Sequence, residues 1–317
     1  MIRKIVSYLL VFVCLLLAYR WLLYNGIRQN KQGIFKKYNE LFLEKGNSYD
    51  VLFMGSSRAE MHFNPIVFDS ITRLKSYNAG ISGASPRISL AHLKIYCSQH
   101  PPPKYIILNI DYFSLQNDTD RLNDFPRYFP YLRNSKLLNE LQLMDHRFLS
   151  FYYNPLHSLP YTQTDYLSAS LHGWCSIPGK YDTLMHKGYQ TALNRNFNAA
   201  NPPAPSKLFI SAKNRAYLDS FIHFANTVNS CVFLVTSPVY GQGTLSASNK
   251  NLLVEHLTRI AKSNAVPYLN YTDSIGFNNR LYYSDYFHLN DRGANKFTKS
   301  ISFAFNNIYA GKPLFNK

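Results

Sequence analysis

The chain has 317 residues, 46% of them hydrophobic and 16% charged, which is enough apolar material for one large or two small folded domains and excludes disorder over its whole length. Its 34 Lys and Arg against 18 Asp and Glu give a formal charge of +16. The basic residues are scattered rather than clustered, which argues against a nucleic-acid partner; the charge suits attraction to anionic polymers or lipid headgroups, or plain solvation of the surface.

Arg3 and Lys4 precede an apolar run from Ile5 to Ala18 that continues through Tyr19-Arg20-Trp21-Leu22-Leu23. About 19 such residues cross a hydrocarbon core, so residues 5–23 are read as a transmembrane signal anchor after a cytoplasmic tail, 1–4. Arg20 and Trp21 stand where snorkelling and interfacial anchoring are tolerated. No small-x-small cleavage site follows, and Val11-Phe12-Val13 before Cys14 is unlike a lipoprotein signal, so an uncleaved anchor is expected. The basic pair predicts a single pass through the cytoplasmic membrane, N-terminus inside, with everything past about Tyr24 extracytoplasmic. Over residues 24–46, Ile34, Tyr38, Leu41 and Phe42 fall at helical spacing and predict an amphipathic linker helix, with Gly46 as its stop.

Strand and helix patterns then alternate. Asp50 to Met54 and Lys75 to Asn78 read as strands. Ser85-Pro86 opens a helix with Ile88, Ala91 and Ile95 on one face. Lys104 to Ile110 is a continuous β-branched run of the kind buried on both faces of a parallel sheet. After a gap the rhythm resumes with a helix from about Ser211 carrying Leu218, Phe221, Ile222 and Ala225, and a strand from Cys231 to Thr236. A helix with Leu253, Leu257 and Ile260, a strand from Pro267 to Asn270, and a last helix with Ala294, Phe297, Ile301 and Phe305 complete it. This alternation predicts an α/β domain over 47–310, a flavodoxin-like three-layer sandwich around a mostly parallel sheet.

Between about 114 and 205 the rhythm breaks. The segment is rich in Tyr, Phe, Asn and His, has prolines at 126, 130, 155 and 160, and shows a weak helical pattern only from about Asn134 to Leu149. Insertions at the carboxyl ends of strands in open α/β sheets commonly shape a ligand cleft, so the segment is read either as a lid or acceptor-binding subdomain or as an irregular packed decoration. Its aromatics suit stacking on sugar rings or packing on one another. Of the four cysteines, Cys14 lies in the anchor, Cys97 and Cys231 sit in apolar stretches that read as core, and spacing leaves a disulfide of Cys175 open. His92, His172, His186 and His256 have no metal-ligand spacing, and no metal or organic cofactor is expected.

Two stretches carry chemistry. The strand at residues 50–54 stops at Gly55-Ser56-Ser57-Arg58, and "YYSDYFHLN", residues 282–290, places Asp285 and His288 with two residues between them before the last helix. On a tight turn that spacing can set the carboxylate against one imidazole nitrogen, leaving the other free to take a proton from a nucleophile. With both turns at the carboxyl edge of the sheet, Ser57, Asp285 and His288 would meet. Arg58, His62 and Asp111 are further candidates for substrate contact. Their plainer readings are a surface ion pair for Arg58, a satisfied loop histidine for His62 and a loop cap for Asp111. Asp285, in turn, could simply cap the helix that follows.

In these residues the sequence resembles the SGNH/GDSL hydrolase superfamily. Gly55-Ser56-Ser57 matches its Gly-x-Ser block, which implies Ser57 rather than Ser56 as nucleophile. Asn78-Ala-Gly-Ile-Ser-Gly83 matches the block that supplies an oxyanion-hole amide, and Asp285-x-x-His288 matches the last block. The resemblance covers about residues 48–112 and 207–308. It departs after the third strand, where Asp111-Tyr112-Phe113 replaces Gly-x-Asn-Asp and the side-chain oxyanion donor is missing. Gly-Ser-Ser-Arg and "HLN..GA..F" look more like the membrane-anchored envelope branch, similar to the D-alanyl-lipoteichoic-acid and alginate O-acetylation proteins.

The resemblance implies Ser57 attacking with His288 as base and Asp285 as orienting carboxylate, and the amides of Ser57 and Gly83 facing the oxyanion. It implies acyl-ester transfer or hydrolysis on a cell-surface glycan, beside the membrane and with a membrane-bound O-acyltransferase as partner. Two other readings are a catalytically silent SGNH-like domain that binds glycan or scaffolds an export complex, and a structural anchor carrying a generic flavodoxin-like domain.

Overall fold

The structure, a computed structural model, describes residues 1–116, 122, 124–161, 164–176, 185–192, 197–198, 207–241, 249 and 251–309. Of the segment read as an insertion, residues 117–121, 123, 162–163, 177–184, 193–196 and 199–205 lie outside the described residues, as does the expected domain end, 310. The chain divides into two compact units, Met1–Lys45 with Arg121–Asp182, and Gly46–Asp120 with Thr183–Lys317.

The chain runs through α1 (Ile2–Gln29), α2 (Gly33–Phe42), β1 (Val51–Met54), α3 (Ser57–His62), α4 (Pro65–Thr72), β2 (Ser76–Asn78), α5 (Pro86–Gln99), β3 (Tyr105–Asn109) and α6 (Tyr112–Gln116). It continues through α7 (Ser135–Met144), α8 (Arg147–Tyr153), α9 (Thr164–Cys175), the two-residue strands β4 (Met185–His186) and β5 (Tyr189–Gln190), and α10 (Ala212–Thr227). Then come β6 (Cys231–Thr236), α11 (Asn251–Ser263), β7 (Tyr268–Asn270) and α12 (Asp291–Tyr309).

In the first unit α1 is long and apolar enough to cross a membrane. It runs past Leu23 through Tyr24-Asn-Gly-Ile-Arg, where no proline interrupts it and Gly26 lies against α9. It stops at Asn30, whose side chain accepts from Gln32 N–H (2.8 Å) and donates to the Ala169 carbonyl (2.8 Å). Helix α9 packs against α1 backbone to backbone. A Cβ on Gly173 would stand 1.8 Å from the Gly26 carbonyl oxygen, and one on Gly26 would collide with Ser170. The Trp174 indole N–H donates to the Leu22 carbonyl at 2.9 Å. The buried aromatics of this unit pack on one another. Tyr38 lies 5.2 Å from Phe42 and 5.3 Å from Tyr128, and Phe129 lies 4.6 Å from Phe151, so these rings form the unit's own core and are not free to stack on a sugar. The weak helical pattern of 134–149 resolves into α7 and α8, separated where Asp145 accepts from Arg147 N–H.

The second unit is an α/β fold on a five-stranded, all-parallel sheet in the order β2-β1-β3-β6-β7, the flavodoxin-like order. Val51 pairs with Ser76 on one side and Tyr105 on the other, and Tyr105 pairs in turn with Cys231. Residues of β1 and β3 are buried without alternation, as a sheet covered on both faces requires. Helices α5 and α10 pack on each other, while α12 packs on α3 and α4. Phe53 stacks on Phe63 at 4.9 Å and meets Phe68 edge-on at 5.1 Å, and Phe63 lies 5.2 Å from Phe297. Each such ring contributes roughly 1.5–3 kcal/mol of burial. All four cysteines are free; Cys97 and Cys231 are half-buried, Cys231 packed against the core.

Candidate active site

The carboxyl ends of the parallel strands share one edge of the sheet, where ligands bind in open α/β folds. Strand β1 is followed by Gly55, whose φ of +133° and close approach to the Asn109 carbonyl (2.5 Å from where a Cβ would be) admit no side chain. The chain then turns into α3, and the two serines part company. Ser56 is the N-cap: its hydroxyl accepts from Arg58 N–H (3.3 Å) and donates to Asp111 Oδ2 (2.5 Å), so it is buried and engaged. Ser57 is the first helical residue. Its Oγ lies 2.9 Å from His288 Nε2, and it is only half-buried.

His288 stands on a tight loop closed by the Tyr283–Leu289 bridge and by Ser284 N–H donating to the His288 carbonyl (2.9 Å). Asp285 does two things there. Its Oδ1 accepts the backbone N–H of Phe287 and of His288, each at 2.8 Å, which fixes the turn, and its Oδ2 lies 2.9 Å from His288 Nδ1. It does not cap α12; Asn290 does, accepting Gly293 N–H at 3.1 Å. Burial pushes the Asp285 carboxyl up, but the hydrogen bond from His288 and those from the two amides outweigh it and hold it below its usual value. The anion is thereby kept beside Nδ1. The imidazole then carries its proton on Nδ1 and presents a basic Nε2 to Ser57.

The three residues considered for substrate contact lie inside the protein. Arg58 is 2% exposed, and its guanidinium donates to the Ser237 (2.6 Å) and Pro238 (3.1 Å) carbonyls. It is neither a surface ion pair nor in reach of solvent. His62 is fully buried at the end of α3, and its Nε2 accepts the N–H of Leu289 at 3.0 Å. Burial, with the neighbouring Arg58 and His288, pushes its pKa well below the ordinary histidine value. Asp111 holds Ser56 with one oxygen and the Ser114 amide and hydroxyl with the other, so it is a cap that also ties β3 to the Ser56 turn.

The structure adds residues that spacing did not reveal. The buried Asn78 amide donates to the carbonyls of Ala59 (2.8 Å), Glu60 (3.2 Å) and Phe63 (2.8 Å), clamping the end of the helix that starts with Ser57. Asn109 Oδ1 accepts Ser237 N–H (3.1 Å), joining the ends of β3 and β6. Gly83 occupies a left-handed turn (φ +77°) after β2, in a loop tied to the serine turn by Ile81 N–H donating to the Gly55 carbonyl (3.0 Å). The Ser57 amide, at the first position of α3, has no intrahelical acceptor. Among the described residues, no group of three or more His, Cys, Asp or Glu is placed to hold a metal.

No family model matches the chain, and no curated protein matches it significantly. Among solved structures, the chain is similar to a presumed acylhydrolase from Bacteroides fragilis at 15% identity and a TM-score of 0.42, over 86% of this chain and 94% of that one. It is also similar to a mutant of an acetyl-xylooligosaccharide esterase from Geobacillus at 12% identity and a TM-score of 0.39, over 87% of this chain and 100% of that one. Likenesses of this degree say nothing of the site's chemistry.

Proposed function

We propose that the protein is an SGNH-type serine enzyme that makes or breaks an acyl ester, an O-acetyl group, on a cell-envelope glycan, held at the membrane by α1 with the sheet unit extracytoplasmic. The hydrogen-bonded chain Ser57–His288–Asp285, at 2.9 Å and 2.9 Å, carries this reading. A serine hydroxyl is a poor nucleophile at neutral pH and needs a base within reach. As Ser57 Oγ attacks the acyl carbonyl, His288 Nε2 takes its proton. The oxyanion forms against the amides of Ser57 and Gly83, where each donor lowers the barrier by about 3 kcal/mol. Collapse returns the proton to the departing alkoxide and leaves acyl-Ser57. A second hydroxyl, from water or from a sugar, gives its proton to His288 and takes the acyl group, and as the acyl–Ser57 bond breaks that proton returns to Ser57 Oγ. Asp285 stabilises the imidazolium in both halves.

The apolar length of α1 supports work beside a membrane acyl donor, which favours transfer to a sugar over hydrolysis and suits a membrane-bound O-acyltransferase as partner. The silent glycan-binding reading draws on the missing asparagine after β3; the 2.9 Å contact between nucleophile and base speaks against it. Full-length chain in detergent, given an activated acetyl ester with and without an oligosaccharide acceptor, decides between them. Acetate release or acetylated sugar, absent in Ser57→Ala, is expected. A natively folded wild type that does neither would favour the binding domain.

A further inference from the structure

The unit that contains α1 holds a cavity of about 560 Å³. One wall is a single face of α1, with Leu17, Arg20, Trp21, Tyr24 and Arg28 recurring at helical spacing; the facing wall includes Arg133. Among the described residues, three guanidiniums line this one cavity and no carboxylate does. Arg20 and Arg28 both lie within electrostatic range of Arg133. Like charges brought together must be held there. Arg20 donates through Nε to Ser158 Oγ (3.3 Å) and lies over the Tyr24 ring (4.7 Å), and Arg28 donates through Nε to the Pro130 carbonyl (2.5 Å). Arg28 also donates through Nη1 to Asn25 Oδ1 (3.1 Å), so both arginines are anchored through Nε, a geometry that suits binding an oxyanion at the remaining Nη donors.

The cavity's position along α1 identifies the class of anion. Its arginines follow directly on the apolar run, about where headgroups begin, and Leu17 and Trp21, 39% and 52% exposed, flank it on the apolar side. We propose that this cavity binds the phosphate headgroup of an anionic lipid, with the guanidiniums on the phosphate and the acyl chains beside Leu17 and Trp21. The inference rests on the reading of α1 as a membrane anchor.

The chain's two tryptophans supply the probe, since Trp21 lines the cavity and Trp174 lies 6.1 Å from it. Full-length protein is reconstituted in phosphatidylcholine bilayers containing brominated phosphatidylglycerol or brominated phosphatidylcholine, and quenching is followed. The wild type is expected to be quenched at a lower mole fraction of the anionic lipid, Arg133→Gln to lose about fivefold of that preference, and Arg133→Lys to keep most of it. Millimolar inorganic phosphate leaves the preference unchanged if the ligand is a lipid. Equal quenching by the two headgroups, an unaltered preference in Arg133→Gln, or abolition by free phosphate would each overturn the proposal. Quenching by neither lipid would overturn the membrane reading itself.

Discussion

Replacing His62 tests whether the loop carrying His288 is held from behind by a neutral imidazole. His62 is fully buried, and its Nε2 accepts the Leu289 N–H at 3.0 Å. A proton on that nitrogen would set two N–H groups against each other and place a charge beside Arg58, so the folded form stays neutral well below the ordinary pKa of 6.5. The unfolded chain takes up this proton near pH 6.5. Between that pH and the lower folded value the unfolded state binds one more proton, so stability falls as pH falls. The limiting slope inside that window is about 1.4 kcal/mol per pH unit. His62→Gln, whose amide reaches the same position and does not titrate, removes this contribution and leaves those of the other histidines in place. Urea unfolding of the chain, followed by circular dichroism between about pH 7 and 5, should show the wild type losing more stability than the variant as pH falls, with a difference in slope approaching about 1.4 kcal/mol per pH unit. Parallel losses would refute the buried neutral clamp.

Three other outcomes follow from the same contacts. Asp285→Asn keeps Oδ1 for the Phe287 and His288 amides but turns an N–H toward Nδ1, which forces the proton onto Nε2; ester turnover should fall about 10³–10⁴-fold with the melting temperature nearly unchanged. Ser56→Ala removes the N-cap and the bond to Asp111, so denaturation should show a loss of about 1–3 kcal/mol while turnover persists. Gly173→Ala drives a Cβ to 1.8 Å from the Gly26 carbonyl, and tryptophan-detected melting should show α1 and α9 separating at a cost of about 1–3 kcal/mol or more.

Most of the sheet was legible because its central strands are short apolar runs, and because parallel strands buried on both faces leave near-continuous apolar stretches such as Tyr105 to Leu108. Ser57, Asp285 and His288 were legible because their spacing answers a chemical need. Arg58 and His62 could be suspected from their nearness to Ser57, and Asp111 from its place at the end of the strongest strand, but none could be assigned. Whether a polar side chain at a strand end faces solvent or the interior depends on long-range partners, here Ser237, Leu289 and Ser56. Asn78 hid for a related reason: it sits in the block that the resemblance assigns to the oxyanion hole, yet its amide is spent on three α3 carbonyls. Helix α4 is only eight residues long and opens at Asn64-Pro65, which by itself reads as a turn.

The central claim is that Ser57, and not its neighbour, is the activated nucleophile. Treating full-length protein with a serine-directed fluorophosphonate and locating the adduct by peptide mass spectrometry tests it directly. The account predicts an adduct on Ser57 in the wild type and in Ser56→Ala, and none in Ser57→Ala or His288→Ala. An adduct on Ser56, or undiminished labelling of Ser57 in His288→Ala, would contradict it.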